Sequence, residues 1–256
     1  MLSIIPVAVS EDIRSGQNLT ETIIGSIRLC GLAIEEYDIL VIAQKIISKS
    51  ETRIVDMQSI LPSDKAVELA RVHDKDPRLI QLVLNESKSI VRLTKRHIIA
   101  KTKHGFICAN AGIDQSNVSK DPKYVLLLPE NPDESARKLR KDIFETTKKN
   151  VSVIVSDTFG RPFRNGQTNV AIGISGMNPL KSYIGTADQH GRELKVTEIA
   201  IADEIASAAE LVMGKTLQIP VAIVRGYKYE FIHSDLEKKI GISILIRSEK
   251  DDLFMK

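Results

Sequence analysis

The chain has 256 residues, 43% of them hydrophobic and 27% charged, with a formal net charge of +3. That composition suits a soluble globular protein with room for one large or two modest domains and a substantial core. The small net charge, the 4% aromatic content and the absence of tryptophan argue against a nucleic-acid surface or a platform for stacked bases, and no apolar run approaches the roughly 20 residues of a membrane span.

The N-terminal MLSIIPVAVSEDI has no basic stretch followed by a long apolar core, and the two cysteines, Cys30 and Cys108, stand in no metal-binding or redox spacing. A reducing, cytoplasmic setting is expected. Residues Ser3 to Val9 read as a strand whose Pro6 suggests an edge. Asn18 is placed to cap a helix over Leu19 to Leu29, with Ile23, Ile24 and Ile27 on one face and Gly31 as the stop. The continuous apolar run from Asp38 to Ala43 has the length of a buried strand. Pro62-Ser63 and Pro77 open two further helices. Short strands are expected over Ser89 to Leu93, His97 to Ala100 and Phe106 to Cys108. Pro132-Asp133 begins a helix carrying Ala136, Leu139, Ile143 and Phe144. Val151 to Val155 is a buried strand. Thr197 is placed to cap a long Ala-rich helix ending near Gly214, and Val221 to Val224 is the last clear strand. Mixed elements in this order predict an α+β (mixed α/β) architecture, with mixed sheets and flanking helices. The chain is expected to form one catalytic unit over residues 1–256. Two intertwined subdomains are the alternative, with no boundary marked in the sequence.

Residues with chemical content cluster in three places. Ala109 to Asn117 (ANAGIDQSN) follows a strand. Gly112 there permits a backbone closed to other residues, and Asp114 and Asn117 offer hard oxygen donors for a divalent cation. An Asx turn satisfying its own backbone accounts equally well for that segment. Ser156 to Arg164 (SDTFGRPFR) is expected as a loop beginning where the buried strand stops, where open sheets place their ligands. Asp157 and Thr158 could hold a metal there, and Arg161 and Arg164 could bind carboxylate or phosphate; a helix N-cap and a solvated basic loop are the plainer alternative. Gln44 to Lys49 follows the strand Asp38 to Ala43 and could cradle phosphate. Val212 to Thr216 contains Gly-Lys-Thr, but position 209 is Ala where a P-loop needs glycine, and no GxGxxG occurs. Neither a P-loop nor a Rossmann fold is expected. The five histidines are scattered, and Cys108 reads as a small buried hydrophobe.

The runs DILVIAQKIISKSE, HGFICANAGIDQSNV, LLLPENPDESARKLR, VSVIVSDTFGRPFRNGQT, AIGISG, GRELKVTEIAIADEIASAAELVMGK and IPVAIVRG together resemble the coenzyme F420:L-glutamate ligase family, in the family's order, from about Ile4 to Gly226. The resemblance implies an F420 ligase-like fold and a homodimer. It also implies GTP-dependent addition of L-glutamate to the deazaflavin precursor F420-0, through an acyl phosphate. It places divalent metal, Mg2+ or Mn2+ and two ions per site, at Asp114, Asp157 and Thr158, with K+ as a further candidate. GTP would contact Val7, Ala8, Val9 and Ser10; Gln44, Lys45, Ser48 and Lys49; Asn117; and Met213, Gly214, Lys215, Thr216, Leu217, Gln218 and Ile219. Arg161 and Arg164 would stabilise charge. One departure stands out: some family members carry an acidic residue where this chain has Lys215 and use it for the second metal, so Glu204, Glu193 or water would have to compensate. Two other readings are a nucleotide-dependent ligase or transferase acting on another phosphorylated acid and a non-catalytic GTP-binding module.

Overall fold

The computed structural model describes residues 1–116, 118–119, 121–233 and 240–252. In chain order it runs β1 (Ser3–Val7), α1 (Leu19–Leu29), β2 (Ile39–Ala43), α2 (Gln44–Ser50), β3 (Ile54–Asp56), α3 (Asp64–His73) and α4 (Pro77–Glu86). It continues with β4 (Ser87–Leu93), β5 (Ile98–Thr102), β6 (Ile107–Ala109), β7 (Tyr124–Leu126), α5 (Pro132–Thr147), β8 (Ser152–Arg161) and β9 (Arg164–Ser175). The last elements are β10 (Lys181–Ser182), β11 (Glu198–Ile199), α6 (Ile201–Met213) and β12 (Val221–Arg225). The fold is α+β. Among the described residues no helix is long and apolar enough to cross a membrane.

The main sheet has the order β1-β12-β2-β8-β9. It is mixed: β2 and β8 are parallel, and the other neighbouring pairs are antiparallel. The central strand β2 is Ile-Leu-Val-Ile-Ala, and its first four residues are wholly buried. Each such side chain removed from water contributes roughly 1.5–3 kcal/mol before entropy is counted. Pro6 sits on β1, an edge strand whose ladder partner is β12, where a missing N–H costs least. Helix α1 starts at Asn18, whose side chain accepts from the Glu21 N–H. Helices α3, α4 and α5 start behind Ser63, Asp76 and Asn131, each capping in the same way.

A second buried cluster gathers residues between Met57 and Leu127, contributed by the chain that runs between α2 and α5. Its strands form a three-stranded sheet, β4-β5-β6, and the pair β3-β7. The Asp114 loop belongs to this layer, and Asp157 belongs to the main sheet.

The structure corrects two local expectations and adds a helix where the sequence reading named no element. Thr197 does not cap α6: the chain first forms the short strand β11, and the helix opens behind Ala200 without a side-chain cap. Residues 156–161 are not a loop, since β8 continues to Arg161 and turns into β9. Gln44 to Ser50 is a helix that follows β2 without a break.

One buried ion pair ties the start of β2 to the end of its neighbour β12. Asp38, 1% exposed, accepts from Arg225 Nε and Nη2, both at 2.8 Å, and from the Glu35 N–H at 2.8 Å. Removing one partner of such a pair strands the other charge. Asp38→Ala is therefore expected to lower stability by about 3 kcal/mol, read as a fall in Tm of roughly 6–12 °C by thermal unfolding.

Candidate active site

Strand β8 overruns its parallel neighbour. The β2–β8 ladder ends at the pair Ala43–Ser156, and α2 takes over from β2 at Gln44. The overrun therefore leaves Asp157 and Thr158 on a strand with one open flank, facing the start of α2. A register shift between Val155 and Ser156 lies just before them; bulges of this kind re-aim side chains beside active sites.

The open flank is one wall of a cleft of about 520 Å³, within the usual range for small-molecule sites. Gln44, Lys45 and Lys49 from α2 line it, as do Ser156, Asp157 and Thr158 from β8. Val9 and Ser10 enter after β1, and Met213, Gly214, Lys215, Thr216, Gln218 and Ile219 enter after α6. Gly214 ends α6 at φ +57°, and the Gly214 N–H donates to the Glu210 carbonyl; that turn directs Lys215 into the cleft. The backbone N–H of Val9 donates to the Gln218 carbonyl at 3.3 Å, which joins two of these segments.

The Asp114 loop approaches the edge of the cleft from the second layer: Asp114 is not itself a lining residue and meets the cleft through Lys45. Asn110, Ala111 and Gly112 all have positive φ, a run of left-handed backbone that costs free energy at the two non-glycine positions. A side chain at Gly112 would also meet the Leu128 side chain at 2.6 Å. The turn presents Asp114, whose backbone pairs in both directions with Leu126 at 2.9 Å. Asp114 Oδ2 lies 2.7 Å from Lys45 Nζ, and Oδ1 accepts from the Ser116 N–H and Oγ–H, both at 2.8 Å. The Asx turn read in the sequence is thus present alongside the ion pair. Lys45 Nζ also donates to the Ser116 carbonyl at 3.0 Å.

Burial is the largest influence on Asp157 and pushes its carboxyl up to about 7, helped by the negative charge of Asp114; the Thr158 N–H, Lys215 and Lys45 oppose the rise. A carboxylate in that setting lacks a cation of its own. Two other polar atoms of the cleft, Gln44 Nε2 and Ser156 Oγ, are buried without a hydrogen-bond partner among the described residues. Two carboxylates with the Thr158 and Ser156 hydroxyls suit a hard divalent cation whose shell is completed by substrate oxygens, and the Gln44 amide N–H suits an anionic oxygen of the substrate. Among the described residues no group of three or more His, Cys, Asp or Glu is placed to hold a metal ion.

Not every residue expected here lines the cleft. Val7 is buried in β1, Ser48 is buried and donates to Gln44 Oε1 at 2.8 Å, and Ala8 and Leu217 are exposed outside it. Asn117 lies outside the described residues. Arg161 and Arg164 sit at the β8–β9 turn, beyond the cleft of their own chain, because β8 runs on past Asp157 where a loop was expected; Arg161 Nη2 donates to the Asn165 carbonyl at 2.7 Å. Glu193 and Glu204 do not line the cleft either, being exposed on the segment before α6 and on α6.

Several residues of the cleft were not singled out in the sequence, among them Asp12, which pairs with Lys49 at 2.7 Å, Asn169 and Glu210. Asn169 on β9 is the ladder partner of Thr158 and accepts its hydroxyl proton at 2.7 Å. Glu210 on α6 accepts from Asn169 Nδ2 at 2.9 Å and from Lys215 at 3.3 Å. Glu210 lies four residues before Gly214, one turn back on the same helix face, and that spacing was a readable signal. Asn169 had none, because its strand was not recognised.

A mixed sheet, an overrunning strand and a cleft lined by both carboxylates and ammonium groups define a candidate active site. A family profile described as F420-0:Gamma-glutamyl ligase matches residues 9–226. The chain is 49% identical over 222 residues to the coenzyme F420:L-glutamate ligase of Methanocaldococcus jannaschii, covering 86% of each chain. It is 40% identical over 254 residues to the protein of the same name from Methanothermobacter thermautotrophicus, covering 99% of this chain and 98% of the relative. The corresponding Archaeoglobus fulgidus protein is 39% identical over 256 residues, covering 100% and 97%. The chain belongs to the F420-0:gamma-glutamyl ligase family and is a ligase of coenzyme F420 biosynthesis.

Proposed function

We propose that this enzyme joins L-glutamate to F420-0 with GTP as phosphoryl donor, giving coenzyme F420 with γ-linked glutamates. The observation that carries the reading, in a chain of this family, is the cleft where Lys45 and Lys215 flank Asp114 and Asp157. Layer and sheet act as one catalytic unit here, since the two aspartates come from different parts of the fold.

The chemistry follows from charge. A carboxylate does not form an amide directly, because oxide is a poor leaving group. The carboxylate oxygen of the acceptor attacks the γ-phosphorus of GTP, the bond to the β-phosphate oxygen breaks, and GDP leaves. The glutamate amine then attacks the acyl carbon, forming C–N as the C–O bond to phosphate breaks. Phosphate departs and the amine proton passes to solvent. Both reacting partners of the first step are anions, so the chain must hold positive charge at the transferred group. Lys45, Lys49 and Lys215 supply ammonium groups along the cleft. Divalent metal, Mg2+ or Mn2+, would be held by Asp114, Asp157 and Thr158 and would supply Lewis-acid stabilisation of phosphate oxygens. The triphosphate would lie along Ser10, Gln44, Lys45 and Lys49, with the segment after α6 closing over it.

The same reading makes the enzyme cytoplasmic and homodimeric.

The test is incubation with F420-0, GTP and L-glutamate, with mass analysis of the deazaflavin product and ATP in a parallel reaction. Products heavier by glutamyl units, formed with GTP, are expected. GTP hydrolysis with no glutamyl addition, or no turnover of either nucleotide, would overturn the proposal.

A further inference from the structure

Lys215 occupies an unusual position for a surface lysine. Three oxygen-bearing side chains from three elements converge on its ammonium: Thr158 of β8, Asn169 of β9 and Glu210 of α6. Lys215 Nζ donates to Thr158 Oγ1, reaches Asn169 Oδ1 at 3.4 Å and pairs with Glu210 Oε1 at 3.3 Å. The oxygens are themselves locked in place. Thr158 Oγ1 donates to Asn169 Oδ1 at 2.7 Å, and Asn169 Nδ2 donates to Glu210 Oε2 at 2.9 Å. Asn169 is buried at 4% exposure, so its amide is held in this orientation by its neighbours.

A hydroxyl, an amide carbonyl and a carboxylate, preorganised around one point beside Asp157, form the donor set a hard divalent cation takes. Here the point is filled by an ammonium on a tether. Gly214 makes the turn that brings Lys215 there, and Glu210, one helical turn earlier, neutralises it.

We propose that Lys215 is a resident cation that takes the Thr158 hydroxyl for itself and fills the second cation position of the cleft, so that this chain takes one divalent ion, at Asp114 and Asp157 without Thr158, and not two. The inference rests on the ligase reading given above and refines it. An ammonium is a monovalent point charge with three N–H donors. Those donors are directed at Thr158, Asn169 and Glu210, so it acts on a phosphate oxygen through its charge and adds no Lewis-acid coordination, and the ion at the aspartates carries the remaining polarisation. The four-residue step from Glu210 to Gly214 and the following lysine are the chain's own device for placing it.

The experiment is Mn2+ titration followed by electron paramagnetic resonance of free Mn2+, on the intact enzyme saturated with β,γ-imido-GTP. Wild type, Lys215→Ala, Lys215→Gln, Lys215→Arg and Asp157→Asn are compared, with circular dichroism to confirm folding. Wild type and Lys215→Arg are expected to bind one Mn2+ per chain, and Lys215→Ala and Lys215→Gln two. A purely structural ion pair to Glu210 would leave the count unchanged. Equal counts in wild type and both neutral variants, still lowered by Asp157→Asn, would overturn this inference and leave the ligase reading standing. Two ions in wild type or in Lys215→Arg would overturn it as well. Wild type binding no Mn2+ would overturn both. The glutamine variant carries the test if the alanine variant fails to fold.

Discussion

Asp157→Asn is expected to leave a folded protein whose kcat falls by on the order of 10²–10³ or more. The substitution keeps the shape and removes the charge. In the proposed reaction that charge holds a cation against the phosphoryl group in transit, an interaction stronger in the transition state than in the ground state, so kcat falls more than KM rises. Asn keeps a neutral carbonyl donor but supplies no negative charge to hold Mg2+ or Mn2+ there. Steady-state kinetics at saturating metal checks it; wild-type kcat in the variant would remove Asp157 from the mechanism.

The same variant has an opposite effect on stability. Burial raises the Asp157 carboxyl from its ordinary value near 3.8 to about 7 in the folded chain. Folding therefore favours the protonated form. The favourable contribution is full below the unfolded value and is lost as pH rises through the interval up to about 7, so at pH 8 the metal-free protein carries the whole cost of a buried, underpaired charge. Asp157→Asn is expected to raise Tm relative to wild type by roughly 2–6 °C at pH 8 without divalent metal, with the difference vanishing near pH 4. Thermal unfolding at the two pH values decides it; a lower Tm at pH 8 would mean that the carboxylate is already well paired.

The second large effect is at Gly173. A Cβ there would lie 2.5 Å from both C and O of the Pro132 backbone. Helix α5 is held down on β9 at this place: Asp133 Oδ1 accepts from the Ile174 N–H at 2.8 Å, and both Asp133 oxygens receive the Ile242 N–H, at 3.2 and 3.1 Å. Backbone on both sides cannot move aside as a flexible side chain would. Gly173→Ala is expected to cost about 3 kcal/mol through overpacking, a fall in Tm of roughly 6–12 °C. Gly25 on α1 is the control. Nothing lies within 4 Å of a Cβ built there, and Gly25→Ala is expected to stabilise by about 0.5–1 kcal/mol, as helix propensity and unfolded-state entropy require. Equal responses at the two positions would show that the α5–β9 contact is looser than described.

Where each side of the chain is buried, the sequence was legible. The run Ile39 to Ala43 and the capped helices behind Asn18, Ser63 and Asn131 announce themselves by apolar period and cap chemistry. The β8–β9 hairpin was not legible beyond Val155. It overruns its parallel neighbour, both its faces are partly solvated, and Gly160, Pro162 and Gly166 interrupt the residues between Asp157 and Thr168. No alternation of apolar and polar residues survives there, so a strand reads as a loop. The candidate site divides in the same way. Asp114, Asp157 and Lys45 stand in short polar runs next to apolar strands, whereas Asn169 becomes visible only once the ladder partner of Thr158 is known. Arg161 and Arg164 were drawn towards the site by their nearness in sequence to Asp157, but an extended strand moves about 3.3 Å per residue, and the four residues from Asp157 to Arg161, with Arg164 paired opposite it, carry both away.

The most direct measurement of the central claim is anomalous X-ray scattering from crystals grown with Mn2+ and β,γ-imido-GTP. A Mn2+ peak at about 2.1 Å from carboxylate oxygens of both Asp114 and Asp157, with Lys45 displaced from Asp114 and nucleotide phosphate along Lys49, is the expected result. Nucleotide bound elsewhere, or a Mn2+ peak that touches neither aspartate, would contradict it.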